Sequence, residues 1–447
     1  MGAFSAESAP AVHPVRQALA YRLALALALC ALAGCAGGRG GSCLAVHETS
    51  STQAAAELPL ATGPPPPLTA DVSGLGSLAD LDRELPRPAP PDSHRPLSAR
   101  EAQCRAAAHA PLAELLVLEA RLAASGARST SAWAAQLESE LLLLRAIEER
   151  NKAAAGSLEA FHRLAQAQND RRLVEQSRTE LDRSRQQVEE LRKQGLKVPI
   201  DVSALDRRRF DSDRQSAELE LSQRMFEGQL RQLMGVAAED TASLWPQADW
   251  QVTTEAIDVA EAIAVGLRTR ADLAILARLS ETLDSETLNV ARTGLRQTDS
   301  ALGIPPMPTP TGLFRRSTDS GDTAGEVAVR RQQLALLNAQ KTREASDEIR
   351  LAAATLETRL RQIVVARDLL ENRRRRTSDL SAQKATGAAS AFDVNLARLE
   401  ERAAESELVE RITAWRLAET KLRAAQGLLA EECGYGLESA RSASACH

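Results

Sequence analysis

The sequence predicts an all-α fold made of duplicated long antiparallel helical hairpins. Three observations carry this. Ala, Leu, Glu, Arg and Gln, all strong helix formers, dominate a chain in which only 3% of residues are aromatic. The pattern Gly-x5-Asp-Val at Gly195, Asp201 and Val202 returns 192 residues later at Gly387, Asp393 and Val394, and repetition at a fixed offset marks a duplicated architecture. The register holds downstream, matching Arg224 with Arg416, Glu227 with Glu419, Leu230 with Leu422, Arg231 with Arg423 and Gly235 with Gly427. Apolar residues also recur at heptad spacing, the spacing of a coiled-coil seam: Leu137 and Leu144, then Val174, Leu181 and Val188, and later Ile349, Leu356, Ile363 and Leu370.

Residues 1–35 read as a targeting segment. Arg16 and Arg22 precede an apolar run from Leu23 to Leu32. That run is too short for a membrane span of about 20 residues, and it has the length of a signal-peptide core. It closes on Leu32-Ala33-Gly34-Cys35, which resembles the lipobox of bacterial lipoproteins. The resemblance implies that Cys35 becomes the first residue and carries lipid. With Ala36 next, rather than aspartate, it also implies the periplasmic face of the outer membrane. Residues 36–97 are rich in Gly, Ala and Pro, with Pro64 to Pro67 in a row and Pro86, Pro88, Pro90, Pro91 and Pro96 beyond. Such composition favours extended chain, so this segment is expected to be a tether.

Residues 98–239 form the first helical repeat. Ser98 and Glu101 have the spacing of a capping box, Pro111 kinks or restarts the helix, and Gly126 ends it. A long helix over about 130–194 follows, on the order of 100 Å at 1.5 Å per residue. Gly195 suits a left-handed C-cap, and Pro199 and Asp201 suit the start of a returning helix. Leu205, Leu219, Phe226 and Leu233 keep the seam on the return. Residues 240–430 repeat the plan. Glu261-Ala262 opens a short helix and Thr298–Ala324, with Pro305, Pro306, Pro308 and Pro310, reads as a loop. The second long helix runs to Gly387 and its return carries Leu408, Trp415 and Leu422. Residues 431–447 are a C-terminal tail.

Beyond Cys35, the processed chain holds Cys43, Cys104, Cys433 and Cys446. An exported chain permits disulfides, and Cys104 and Cys433 can pair if the two ends of the body meet; the sequence alone leaves the connectivity open. No cysteine or histidine spacing suits a metal, no Gly loop suits a phosphate, and no nucleophile elbow is present, so no metal, cofactor or catalytic residue is expected and the chain does not read as an enzyme. A net charge of −5 with both signs interspersed gives no broad basic face for nucleic acid. The Arg373–Arg376 run, inside a helical pattern, reads as a solvated face.

The order of these motifs resembles the TolC family of outer-membrane efflux proteins over roughly residues 98–430. The residues that carry the likeness are the turns at Gly195 and Gly387, the Leu-x4-Gly closures at Gly235 and Gly427, and Arg270-Ala271-Asp272-Leu273, where the family has Arg-Pro-Asp-Leu. The resemblance implies an α-barrel-type homotrimer in the periplasm. It makes Gly195, Leu196, Asp201, Val202, Gly387, Asp393 and Val394 the tip turns facing a periplasmic adaptor and an inner-membrane pump. The sequence departs from the family at the β-hairpins that precede the long helices. Only about Gly126–Ser129 and the Pro-rich loop stand there, without the alternating strands of about 9–11 residues that a membrane barrel needs. Little or no β-barrel is therefore expected, and lipid at Cys35 would be the membrane attachment. Two functions follow. One is a lipoprotein contributing a helical conduit to an efflux or secretion machine. The other is a lipid-anchored coiled-coil scaffold with no transport role.

Overall fold

A computed structural model describes residues 78, 81, 85–90, 93–126, 131–195, 202–298 and 320–439. Cys35, Cys43, Cys446, Leu196, Asp201 and the Pro-rich loop lie outside the described residues. The element order is β1 (His94–Leu97), α1 (Ala99–His109), α2 (Pro111–Ala124), α3 (Ala132–Lys193), α4 (Val202–Met234), β2 (Ser243–Pro246), α5 (Val259–Thr269), α6 (Ala271–Thr282), α7 (Leu288–Thr298), α8 (Ser320–Ala385), α9 (Ala391–Ala425) and α10 (Leu428–Glu431).

Two helices of 62 and 66 residues, α3 and α8, form the frame. Neither is strongly amphipathic alone, so each is held by what packs along it. On α3, Ala160, Phe161 and Leu164 meet Leu230 and Met234 of α4. Closer to its start, Ala154 and Leu158 meet Ala107 of α1, and Ala146 meets Ala113 of α2. The second repeat does the same with different residues. Ile349, Leu356, Ile363 and Leu370 of α8, the expected heptad, bury against Leu408, Ile412, Trp415 and Leu422 of α9. Leu334, near the start of α8, packs on Leu276, Leu279, Leu288 and Leu295 of α6 and α7. Along the tip halves the four long helices thus lie side by side in the order α4, α3, α9, α8.

Local signals explain the helix ends. Pro111 stands at the first position of α2, where its missing N–H costs nothing. Ser98 Oγ accepts from Glu101 N at 3.1 Å, but the expected reciprocal box is not what Glu101 makes. Its carboxylate goes instead to Arg95 (3.1 Å) and Arg105 (3.3 Å), which fastens α1 to β1.

The expected tether does not stay free of the body up to residue 97. Leu78, Leu81 and Leu85 are buried in the same apolar cluster as Trp250, Val252 and the α8–α9 seam. His94–Leu97 forms β1, which pairs in parallel with Ser243–Pro246. The reason is tertiary: Leu97 and Leu244, at 0% exposure, cap the top of the Phe161–Leu230 cluster, and a strand pair satisfies their backbones while burying them. The tail is also partly incorporated. Cys433 pairs with Cys104 across 329 residues, Arg150 stacks on Tyr435 at 3.9 Å, and Gln103 donates to Leu429 O (2.9 Å) and Glu432 (2.8 Å). Asn151 bridges the same end, donating to Ala424 O and accepting from Leu429 N.

The disulfide encloses nearly the whole body in one covalent loop. Reduction, or Cys433→Ser, is expected to lower the urea-unfolding free energy by about 2–5 kcal/mol while leaving helical circular dichroism unchanged at 25 °C. An unchanged urea midpoint under reductant would contradict this.

Candidate docking tips and the seam between the hairpins

Both long helices end on glycine in the left-handed region. Gly195 (φ 76°) follows α3 and Gly387 (φ 78°) follows α8, where an L side chain is strained. At the second tip Gly387 N donates to Lys384 O (3.1 Å) and Ala388 N to Gln383 O (2.9 Å), a Schellman closure that satisfies the last carbonyls. At the first, Gly195 N donates to Arg192 O at 3.0 Å. Residues 189–195 and 382–388 are solvent-exposed, so both tips protrude.

The residues after the second turn face inward rather than outward. Val394 is buried, and Phe392 and Val202 pack half-buried on Leu181, Val188 and Leu205. Val394, expected among the tip residues, is buried. Asp393 is exposed, but its carboxylate is engaged. It accepts from Ser390 N (3.0 Å) and Ser390 Oγ (2.7 Å), while Ser390 Oγ accepts from Asp393 N (3.2 Å). These bonds hold its carboxyl below the usual range. Gly387 and its exposed flanks remain the surface of this tip.

The two hairpins meet along α3 and α9 on a stripe of polar side chains. Asp170 accepts from Ser406 at 2.8 Å, and Arg172 pairs with Glu405. Arg402 reaches Gln176, and Glu180 lies 3.7 Å from Arg398 and 3.8 Å from Arg402. Asn395 donates to Ser184 at 3.1 Å. Burial, with Glu410 nearby, pushes the Asp170 carboxyl up to about 6.

No protein-family model and no curated protein matches the chain. Solved structures do. The outer-membrane channel OprN aligns with a TM-score of 0.50 at 18% identity, over 66% of this chain and 70% of that one. The fold is TolC-like. The CmeC outer-membrane channel of Campylobacter jejuni (TM-score 0.48, 12% identity) is covered over 66% of its length by 66% of this chain. VceC of Vibrio cholerae (TM-score 0.48, 14% identity) is covered over 74% of its length, again by 66% of this chain. At these identities the likeness is one of fold.

The duplicated polar residues of this TolC-like chain clamp the link after each hairpin. Arg231 donates to the carbonyls of Asp240 and Ala242, and Glu227 accepts from Leu244 N at 2.9 Å. Their counterparts diverge: Arg423 pairs with Glu432, while Arg416 pairs with Glu419 (3.0 Å) and donates to Gln251 O (2.7 Å). Arg270, within the resembling Arg-Ala-Asp-Leu segment, pairs with Asp272 (2.9 Å) and Glu348 (2.7 Å) and donates to Ala425 O (2.9 Å). It joins α6, α8 and α9. Sequence reading singled out the motif but not this role, because its partners come from helices remote in the chain. A cleft of about 500 Å³ beside Arg270 and one of about 580 Å³ beside His162 are lined by these paired charges. His162 is neutral at neutral pH, since burial and the neighbouring Arg416 and Arg423 push it down to about 3. The Arg373–Arg376 run is matched to carboxylates, Arg373 and Arg376 to Glu400, Arg375 to Glu371 and Arg374 to Glu401, as a solvated face should be.

Two outcomes follow. Ser390→Ala removes the cap of α9 and is expected to cost about 1 kcal/mol in urea unfolding. Asp170 is raised in the fold from 3.8 to about 6, so its contribution to stability is full below pH 3.8 and is lost as pH rises through 6. Asp170→Asn should flatten that part of the stability–pH curve; an unchanged slope would show that Asp170 is not its source.

Proposed function

We propose that the chain forms the wall of a periplasmic helical conduit for efflux or secretion, assembled from several copies and held to the outer membrane by lipid at Cys35. The observation that carries this reading is where apolar side chains are exposed. The four-helix layer is open, with α2 and α4 along one edge and α8 along the other. Leu112, Leu115, Leu118 and Leu122 of α2 and Phe210, Leu221 and Met225 of α4 are exposed on the first edge. Val329, Leu336, Leu351, Val365 and Leu369 of α8 are exposed on the second. The inner helix α9 carries no large exposed hydrophobic among the described residues, and α3 carries them only near its ends, at Trp133 and Leu191.

Apolar exposure concentrated on two unlike edges, with Trp133, Leu191 and Val259 as the weakly exposed exceptions, fits heterologous contact, in which one copy's α8 meets the α2–α4 edge of the next. Such contacts close into a ring when the rotation between copies closes. A homotrimer is the assembly proposed, in keeping with the TolC-like fold. The channel neighbours support transport as the role, and the protruding Gly195 and Gly387 turns, with Leu196 beside the first, are proposed to meet a periplasmic adaptor of an inner-membrane pump. The chain would work passively, by lining a path and by contact at its tips.

Cross-linking in intact envelopes, with mass determination of the adduct, tests this. A trimer is expected. Leu336, 73% exposed, gives the matching variant. Leu336→Glu should change the stability of the single chain by no more than about 0.5 kcal/mol, as surface substitutions do, yet abolish the adduct. A single-chain adduct in the parent protein would overturn the conduit and leave the tethered scaffold.

A further inference from the structure

The two apolar edges carry their exposed side chains at matching heights along the layer. In the half away from the tips, Arg278 of α6 pairs with Glu140 of α3 at 2.9 Å. Both ends of α6 are tied to α8, through Arg270 on Glu348 (2.7 Å) and through Arg331, which donates to Leu283 O (3.1 Å). Between these ties Leu336 of α8 comes level with Glu140, to within one turn. On the other edge α2 runs back along α3, with Ala113 packed by Ala146. Counting along α2 from there places Leu118 and Leu122 on either side of the height of Glu140, hence of Leu336.

The tip half shows a second match. Arg178 of α3 pairs with Asp213 of α4 (3.2 Å), Asp170 of α3 accepts from Ser406 of α9 (2.8 Å), and Arg373 of α8 pairs with Glu400 of α9 (2.7 Å). Crossing the layer through these ties brings Leu221 of α4 level with the turn of α8 that holds Val365 and Leu369, and Phe210 level with Arg375. Leu205 of α4 is buried on Leu181 and Val188 of α3, and at 3.6 residues per turn Phe210 and Leu221 fall on the opposite face. Val365 and Arg375 likewise point away from Ile363 and Leu370, which are buried on α9. Phe210, Leu221, Leu336 and Val365 are 69%, 61%, 73% and 69% exposed, so all four are free to meet a partner. The two matched heights lie ~44 Å apart along α8, and a partner displaced along the helices by more than a turn would lose both.

We propose that the edges of neighbouring copies mate at these heights. Leu336 of one copy enters between Leu118 and Leu122 of the next, Val365 packs on Leu221, and the Arg375 guanidinium covers the Phe210 ring. Copies are then related by rotation about an axis along the helices, with no step parallel to it. A heterologous contact without a step closes as a ring instead of growing as a filament. This deepens the conduit reading and rests on it, by naming the register in which one chain meets the next.

Co-expression of two full-length chains, each with one added cysteine and its own affinity tag, tests the register in intact envelopes. The matched pairs are Leu336→Cys with Leu118→Cys and Val365→Cys with Leu221→Cys. The crossed pairs, Leu336→Cys with Leu221→Cys and Val365→Cys with Leu118→Cys, would have to bridge ~44 Å, whereas a disulfide needs Cα atoms within about 7 Å. All four sites are exposed, so the substitutions leave the single chain folded. Mild oxidation and mass mapping of linked peptides should give both matched cross-links at least about tenfold above both crossed ones. Crossed cross-links equal to the matched ones would overturn the register. So would matched pairs at background while an amine-reactive reagent still gives the multi-copy adduct, a result that the conduit reading would survive. Loss of that adduct in the parent protein would instead sink the conduit and the register with it. In the doubly substituted chain Leu118→Cys/Leu336→Cys every copy can link to two neighbours. Oxidation should stop at one fixed number of copies; a ladder of products that keeps climbing would reveal a step along the helices and overturn the closed ring.

Discussion

Lateral packing of long helices on one another is the constraint from which everything else in this molecule follows. A helix of 62 or 66 residues has no tertiary reason to persist unless a partner runs beside it. The chain meets that need twice with one device. A left-handed glycine reverses the direction, and a shorter helix returns along half the length. That return is not long enough, because α4 and α9 have 33 and 35 residues. The uncovered halves of α3 and α8 must be met by something else. Short helices fill those halves, α1 and α2 on α3 and α5 to α7 on α8, and the midpoint where the two kinds of cover abut becomes the most intricately fastened region. The strand pair, the disulfide, Arg270 and the Gln103–Glu432 contact all sit there. Gly427 belongs to the same joint: a Cβ on it would stand 3.2 Å from Thr269 O, so the chain just past α9 and the end of α5 approach each other backbone to backbone.

The seams are chemically unequal, and that inequality divides labour. The α8–α9 seam is apolar from Ile349 to Leu370, where its dispersion and burial energy depend on one fixed interdigitation, and is crossed by Arg–Glu pairs nearer the tip. The α3–α9 seam carries carboxylates, guanidinium groups and amides, whose contacts have long reach and several alternative partners. A polar stripe between two apolar-cored hairpins specifies their order in the layer without fusing them into one rigid slab. It contributes little net stability, because desolvating the charges offsets much of their attraction. Its value lies in direction.

The helices were legible in the sequence because their causes are local and periodic. Heptads at Ile349, Leu356, Ile363 and Leu370, and glycines at Gly195 and Gly387, need only neighbours within a few turns to declare themselves. The duplication made the second hairpin readable from the first. Features that depend on distant partners were not readable. The strand at His94–Leu97 exists because Ser243–Pro246 reaches it, and nothing in a Pro-rich stretch signals that pairing. Leu78, Leu81 and Leu85 look like isolated apolar residues in a spacer until Trp250 and Val252 arrive beside them. The candidate tip was half legible for the same reason. The turn at Gly387 is a local property and stands where expected. Whether Phe392 is covered depends on Leu181 and Val188, some two hundred positions earlier, and it packs on them half-buried.

The placement of exposed leucines gives the last step. A single chain could hide Leu112, Leu115, Leu118 and Leu122 by curling its layer until α2 and α4 met α8. Among the described residues they do not meet: α4 packs on α3, α3 on α9 and α9 on α8, and no packed contact joins α4 to α8. The apolar side chains must stay wet or find another copy. Their concentration on the edges, with α9 clean between them, is the pattern expected of the proposed assembly, in which neighbouring copies cover the edges.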